Sequence, residues 1–120
     1  EVGGEETCQP ENVKKEIRKL LISYNNIVEK SFEQILEFHK NFELIHPFQD
    51  GNGRVGRLLM FKECLANNIV PFIIDEQHKL FYYRGLKQWE NEKGYLIDTC
   101  LNSQDNYTKL VNYFLEEEKD

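Results

Sequence analysis

The sequence predicts an all-α fold of about five or six helices with one small β-hairpin remnant at its N-terminal end. Three observations predict it. Apolar residues recur at helical spacing through most of the 120 residues, asparagine, glycine and proline interrupt them at about a helix's length, and a short apolar run at residues 69–74 is interrupted by a proline. Glu1 to Pro10 is glycine-bearing and turn-like, and its VGG reads as the end of a hairpin strand. Val13, Ile17, Leu20, Leu21 and Tyr24 form one helical face, with Pro10 suited to a first turn and Asn25-Asn26 as the break. Phe32, Ile35, Leu36, His39, Phe42 and Ile45 form a second, entered at Ser31 and ended at His46, because Pro47 disfavours helical backbone before it. Val55, Leu58, Leu59, Lys62, Leu65 and Ala66 mark a third, stopping near Asn67-Asn68. IVPFII, residues 69–74, is interrupted by Pro71 and reads as a buried extended linker. Leu80, Tyr83 and Leu86 with Trp89 predict a fourth helix closed near Gly94. Leu96, Ile97, Cys100 and Leu101, then Tyr107, Leu110, Val111 and Phe114, predict one or two last helices before a charged EEEKD tail.

Bulk properties narrow the class. A chain of this length makes about one domain, residues 1–120, burying roughly two-thirds of the surface that its unfolded form exposes. With 21 acidic against 15 basic side chains the net charge is -6, and no run of Lys and Arg offers a footprint for nucleic acid. Cys8, Cys64 and Cys100 are far apart and never in a CxxC pair, which suits reduced thiols in the cytoplasm better than disulfides or zinc. No apolar run approaches the ~18 residues of a membrane span. The chain opens on EVGG without a methionine, leaving room for an upstream segment.

One segment does not read as core: HPFQDGNGRVGR, His46 to Arg57. It stands where a loop enters the third helix, whose first turn leaves N–H groups unpaired and carries the positive end of the helix dipole. Gly51 and Gly53 let the backbone curl and approach a ligand. Arg54 and Arg57, three apart, share a face of that turn, where positive charge opposes the dipole unless an anion sits among them. The chain has four arginines and eleven lysines, so two of its four guanidinium forks, which match phosphate oxygens, lie here. Asp50 suits a Mg2+ bridging to phosphate, and His46 can take a proton from an attacking group. Base, metal ligand, anion hole and charge clamp make a phosphoryl- or nucleotidyl-transfer site.

The segment resembles the signature of the Fic family, HPFx(D/E)GN(G/K)RxxR, at every specified position. The resemblance extends to VGG before Pro10 and Val13, to FHKNFELI before the segment, LLM after it and Tyr82-Tyr83 downstream, while the upstream helices of a typical member are absent. It implies a compact helical core with a flap remnant, and transfer of AMP from ATP to a Ser, Thr or Tyr hydroxyl of a target protein. His46 would be the base, Asp50 would hold Mg2+, and Gly51, Asn52 and Gly53 would line the anion hole. Arg54 and Arg57 would clamp phosphates, Phe48 would anchor the loop in the core, Val2, Gly3 and Gly4 would pair with the target, and Tyr82 and Tyr83 would border the adenine pocket. The family places an asparagine near that pocket; here Glu90 holds the expected position and Asn91 the next.

Other readings are open. Removal of AMP, or transfer of another nucleotide, would use the same loop. Gly51 to Gly56 is also a GxGxxG, with Asp75 nineteen residues beyond, but a dinucleotide site needs a preceding strand, and helical text precedes this one. A catalytically silent binding module would leave the histidine and paired arginines unexplained. Thr7 to Asn12 fits the family's inhibitory pattern (S/T)xxxE(G/N), but Pro10 lies inside the turn that must be helical. Inhibition would then come from an upstream helix or an antitoxin-like partner. The target protein and oligomeric state stay open, a homo-oligomer among the options. His39, on an apolar face, reads as a packed, hydrogen-bonded core histidine, and His78 as surface.

Overall fold

The structure, a computed structural model, describes residues 7–48 and 51–118. A 3-10 turn, Pro10–Asn12, leads into α1, Val13–Asn25, so the proline occupies a first-turn position where its missing N–H costs nothing. Helix α2, Phe32–Ile45, starts at a full capping box. The Gln34 N–H donates to Ser31 Oγ at 3.2 Å and the Ser31 N–H to Gln34 Oε1 at 2.9 Å, which satisfies two orphan donors of the first turn. Helix α3, Asn52–Ala66, is capped by Gly51 at φ 80 and ends at Asn67, with Asn68 at φ 59 turning the chain back. Residues 69–75 form neither helix nor strand, with Pro71 and Phe72 buried. Asp75 then caps a 3-10 turn, Glu76–His78, by accepting from the His78 N–H at 3.0 Å. Helices α4, Lys79–Gln88, and α5, Gly94–Glu118, complete the fold.

Helix α2 is central: eight of its fourteen residues are buried, so it has little free face, and α1, α3 and α5 pack around it. The core gathers Tyr24, Ile35, Leu36, Phe38, Met60, Cys64, Phe72, Tyr82, Leu86, Trp89, Leu96 and Cys100. At the α4–α5 crossing, a Cβ on Gly85 would lie 2.7 Å from Leu96 Cα, so only glycine admits this approach.

One expectation falls outside the described residues and two need correction. No strand occurs among the described residues; the hairpin expectation fell on Val2, Gly3 and Gly4, which lie outside them. The inner face of α4 is Tyr82, Gly85 and Leu86, continued by Trp89, while Leu80 is 81% exposed. The reason is steric: the glycine side of α4 is the side that α5 can reach. Finally, Gly94 opens α5 rather than closing α4, and the C-terminal apolar groups belong to one 25-residue helix. No helix among the described residues is long and apolar enough to cross a membrane.

Candidate active site

The loop between α2 and α3 is shaped at both ends by left-handed backbone. His46 ends α2 at φ 55, a conformation uncommon outside glycine and asparagine, and Gly51 starts α3 at φ 80. Between them the chain is pinned by Asn52. Its Oδ1 accepts from the Phe48 N–H at 2.8 Å, and its Nδ2 donates to the Phe48 carbonyl at 2.6 Å. One buried carboxamide thus replaces the peptide partner that Phe48 would have in regular structure. The expected anchor, the Phe48 ring, is 49% exposed instead. The loop is therefore held by a polar pin, and the Asn52 side chain is committed to that pin, leaving its backbone for the cleft. Nothing but the i, i+4 spacing of a carboxamide to the loop hinted at this.

The residues brought together are those of the motif. His46, Gly51, Asn52, Gly53, Arg54, Arg57 and Tyr83 line an open polar cleft of about 500 Å³ at the N-terminus of α3. Both guanidinium groups curl over the glycines: a Cβ on Gly51 would lie 3.1 Å from Arg54 Nη2, and one on Gly53 would lie 2.9 Å from Arg57 Nη1. The glycines clear the space in which the arginines stand against the helix N-terminus. On the other side of His46 a second cleft, also about 500 Å³, is lined by Thr7, Cys8, Gln9, Pro10, Val13, Pro47 and Phe48. Residues 7–9 reach it because the Cys8 N–H donates to the Leu44 carbonyl at 2.9 Å. His46 is common to both clefts, and its buried Nδ1 has no hydrogen-bond partner among the described residues. Asp50 lies outside the described residues, among which no cluster of three potential metal ligands occurs.

Behind the arginines sits a buried polar group that the sequence reading missed in part. His39 is 1% exposed; its Nδ1 lies 3.1 Å from the Gly56 carbonyl, and its Nε2 is hydrogen-bonded to the Tyr82 hydroxyl. Burial lowers the His39 pKa to about 4. Glu43, 4% exposed, has its Oε1 3.9 Å from His39 Nε2, and burial raises its pKa to about 7 against the pull of Arg57. Gly56 makes room for that carboxylate, since a Cβ there would fall 2.1 Å from Glu43 Oε1. Tyr82 is 1% exposed, so it cannot border an adenine pocket as expected; of the tyrosine pair only Tyr83 reaches the cleft. Glu90 pairs with Lys40 Nζ at 3.3 Å and does not line the motif cleft. His39 is the packed, hydrogen-bonded histidine that its helical face predicted. The bond from His39 to Tyr82 carried no signal, because the two are 43 residues apart, and Glu43, one helical turn from His39, was not singled out.

Comparison with known proteins agrees with the motif. A "Probable protein adenylyltransferase" of Aquifex aeolicus is 38% identical over 72 residues, 60% of this chain and 20% of that protein. "Protein adenylyltransferase Fic" of Aedes aegypti is 47% identical over 49 residues, and that of Drosophila melanogaster 45% over 49 residues, in each case 41% of this chain and 10% of the relative. The match thus spans a fifth or less of the length of these curated relatives. The profile of the Fic/DOC family matches residues 1–64, which take in α1, α2, the whole motif loop and most of α3. With more than half of its length matched and the motif folded into one cleft, the chain belongs to the Fic/DOC family.

Proposed function

We propose that the protein is an adenylyltransferase that moves AMP from ATP to a Ser, Thr or Tyr hydroxyl of a target protein. The observation that supports this best is the position of His46 between two clefts, one lined by glycines and arginines, the other by residues 7–10 and Phe48. The first suits the triphosphate: backbone N–H groups at the start of α3 and two guanidinium forks face an anion whose charge grows on the leaving pyrophosphate. The second suits the segment that brings the acceptor hydroxyl, and Val2, Gly3 and Gly4 are the residues we assign to the flap that pairs with it. His46, reachable from both sides, takes the hydroxyl proton as the oxygen attacks the α-phosphorus and pyrophosphate departs. Tyr83, at the rim of the arginine cleft, is placed to meet the nucleoside.

The donor set fits magnesium. The glycine cradle leaves room for phosphates, and one loop carboxylate, Asp50, with phosphate oxygens and water is the ligand set that Mg2+ favours. Bound there, the ion would neutralise phosphate charge and fix the oxygens. The three free thiols, two of them buried, suit the cytoplasm. A target protein is the required partner, and an inhibitory helix or antitoxin-like protein that covers the cleft is the regulator this site would accept.

The test is incubation of the protein, with a cell lysate, with labelled ATP, GTP, UTP and CTP in turn, with and without EDTA, followed by mass spectrometry of modified chains. A mass gain of one AMP group on a hydroxyl residue from ATP alone, abolished by EDTA, is the expected result. Modification from another nucleotide would redirect the substrate assignment, and none from any nucleotide would sink it.

A further inference from the structure

Residues 7–9 form a thin wall between two clefts. On one side is the cleft of about 500 Å³ that they share with His46, Pro47 and Phe48, and on the other a larger one, about 780 Å³, along α1 and α2. Among the described residues the wall is held through its backbone: the Cys8 N–H donates to the Leu44 carbonyl at 2.9 Å, and the Asn12 N–H to the Gln9 carbonyl at 2.9 Å. The first bond ties the wall to the last turn of α2, two residues before His46. Thr7 lines both clefts. It also opens the segment that fits the inhibitory pattern, but residues 7–9 are not helical and only a 3-10 turn follows them, so an inhibitory helix makes no use of Thr7.

Among the residues that line the acceptor side of His46, Thr7 alone carries a hydroxyl, and that hydroxyl has no hydrogen-bond partner among the described residues. Hydroxyls elsewhere are engaged or enclosed: Tyr24 donates to Glu63 Oε1 at 2.8 Å, Thr99 to the Tyr95 carbonyl at 2.9 Å, and Ser103 is buried. Tyr83 lies on the arginine side of His46. We propose that Thr7 is a modification site: the chain transfers AMP from ATP to its own Thr7 hydroxyl, which stands in the cleft that His46 serves. In that step His46 takes the hydroxyl proton and Thr7 Oγ1 forms a bond to the α-phosphorus. The bond from that phosphorus to the bridging oxygen breaks, pyrophosphate leaves with the electron pair, and one AMP group stays on the chain. Acceptor and base belong to one chain, so they meet at an effective concentration in about the millimolar range with no encounter between molecules. This inference rests on the reading that the arginine cleft holds ATP and that His46 is the base.

The test is incubation of the purified chain with Mg-ATP labelled at the α-phosphate, with no other protein present, followed by mass spectrometry of the intact chain and of its fragments. One AMP group per chain, mapped to Thr7, is the expected result, with a first-order rate constant that stays within about twofold when the chain is diluted about tenfold. Thr7→Ser should keep the label at residue 7, and Thr7→Val, which keeps the shape and removes the hydroxyl, should lose it. Should Thr7→Val fail to fold, the fragment map of the native chain decides alone. His46→Ala should slow the labelling by about 10²- to 10⁴-fold. Label on another residue, Tyr83 included, or a rate constant that falls in step with dilution, overturns the inference, the latter because it marks transfer between copies. Label on the proteins of an added cell lysate with none on Thr7 overturns it while the transferase reading stands, and no label on either removes both.

Discussion

At the scale of single residues, His46 and Glu43 make separable predictions. His46→Ala should lower transfer by about 10²- to 10⁴-fold, the usual range for a general base, while Mg-ATP binding in the glycine and arginine cleft stays within about twofold. Single-turnover rates with calorimetric binding check this, and an unchanged rate would remove the assignment. Glu43 predicts a pH dependence. Its folded pKa, raised from 4.5 to about 7, means that the folded state holds a proton that the unfolded state has released, so stability falls as pH rises from 4.5 to about 7. His39, lowered from 6.5 to about 4, works the other way, and stability falls as pH drops from 6.5 toward 4. Between pH 4.5 and 6.5 the folded state carries one proton on Glu43 and none on His39, and the unfolded state the reverse. The two slopes cancel. Glu43→Gln should uncover the histidine, gaining over the native chain with rising pH until the difference levels off above pH 7 at up to about 3 kcal/mol. Urea midpoints at pH 4.5, 6 and 8 for both chains decide it, and a constant difference would mean that Glu43 does not titrate there.

At the scale of elements, two glycines set how closely helices meet, and their neighbours differ in kind. A methyl at Gly85 meets the Leu96 backbone, so Gly85→Ala must push α4 from α5, whereas a methyl at Gly56 meets the far end of the Glu43 side chain, which can swing away. Overpacking costs about 1 to 3 kcal/mol, and Gly85→Ala should lie at or above the top of that range and Gly56→Ala near the bottom. Melting curves should therefore rank them in that order; the reverse would mean that the Glu43 carboxylate is the less yielding neighbour. The same contrast explains what the sequence made legible. The extents of α1, α2 and α3 follow from apolar period and local stops, and Ser31 with Gln34 is a cap that reads within four residues. The face of α4 does not, because tyrosines suit either side of a helix and the deciding residue, Gly85, is apolar by omission. In the site, the grouping of His46, the glycines and the arginines was legible because they are neighbours in the chain. The pin from Asn52 to Phe48 and the bond from His39 to Tyr82 were not, since a polar pair matched in space leaves no periodicity behind.

At the scale of the whole molecule, the described residues span 56 × 31 × 27 Å, and α5 accounts for much of the long axis, since 25 helical residues extend about 37 Å. Its first half is held: Leu96, Cys100 and Ser103 are buried, Gln104 Nε2 donates to the Val70 carbonyl at 2.7 Å, and Tyr107 meets Phe61 edge-on at 5.8 Å between centroids. Beyond Tyr107 the helix carries Leu110, Val111, Tyr113, Phe114 and Leu115 with exposures of 37 to 58%. A stretch of fewer than about 12 residues is a marginal helix in water unless it packs on something. One helix thus has two opening free energies, and amide hydrogen exchange would register them as two clocks on one rod. Amides up to Gln104 should exchange only with global unfolding, while those past Tyr107 should exchange through fraying, at least about a hundredfold faster. Uniform slow exchange to the end of α5 would reveal that a second surface clasps its outer turns in solution.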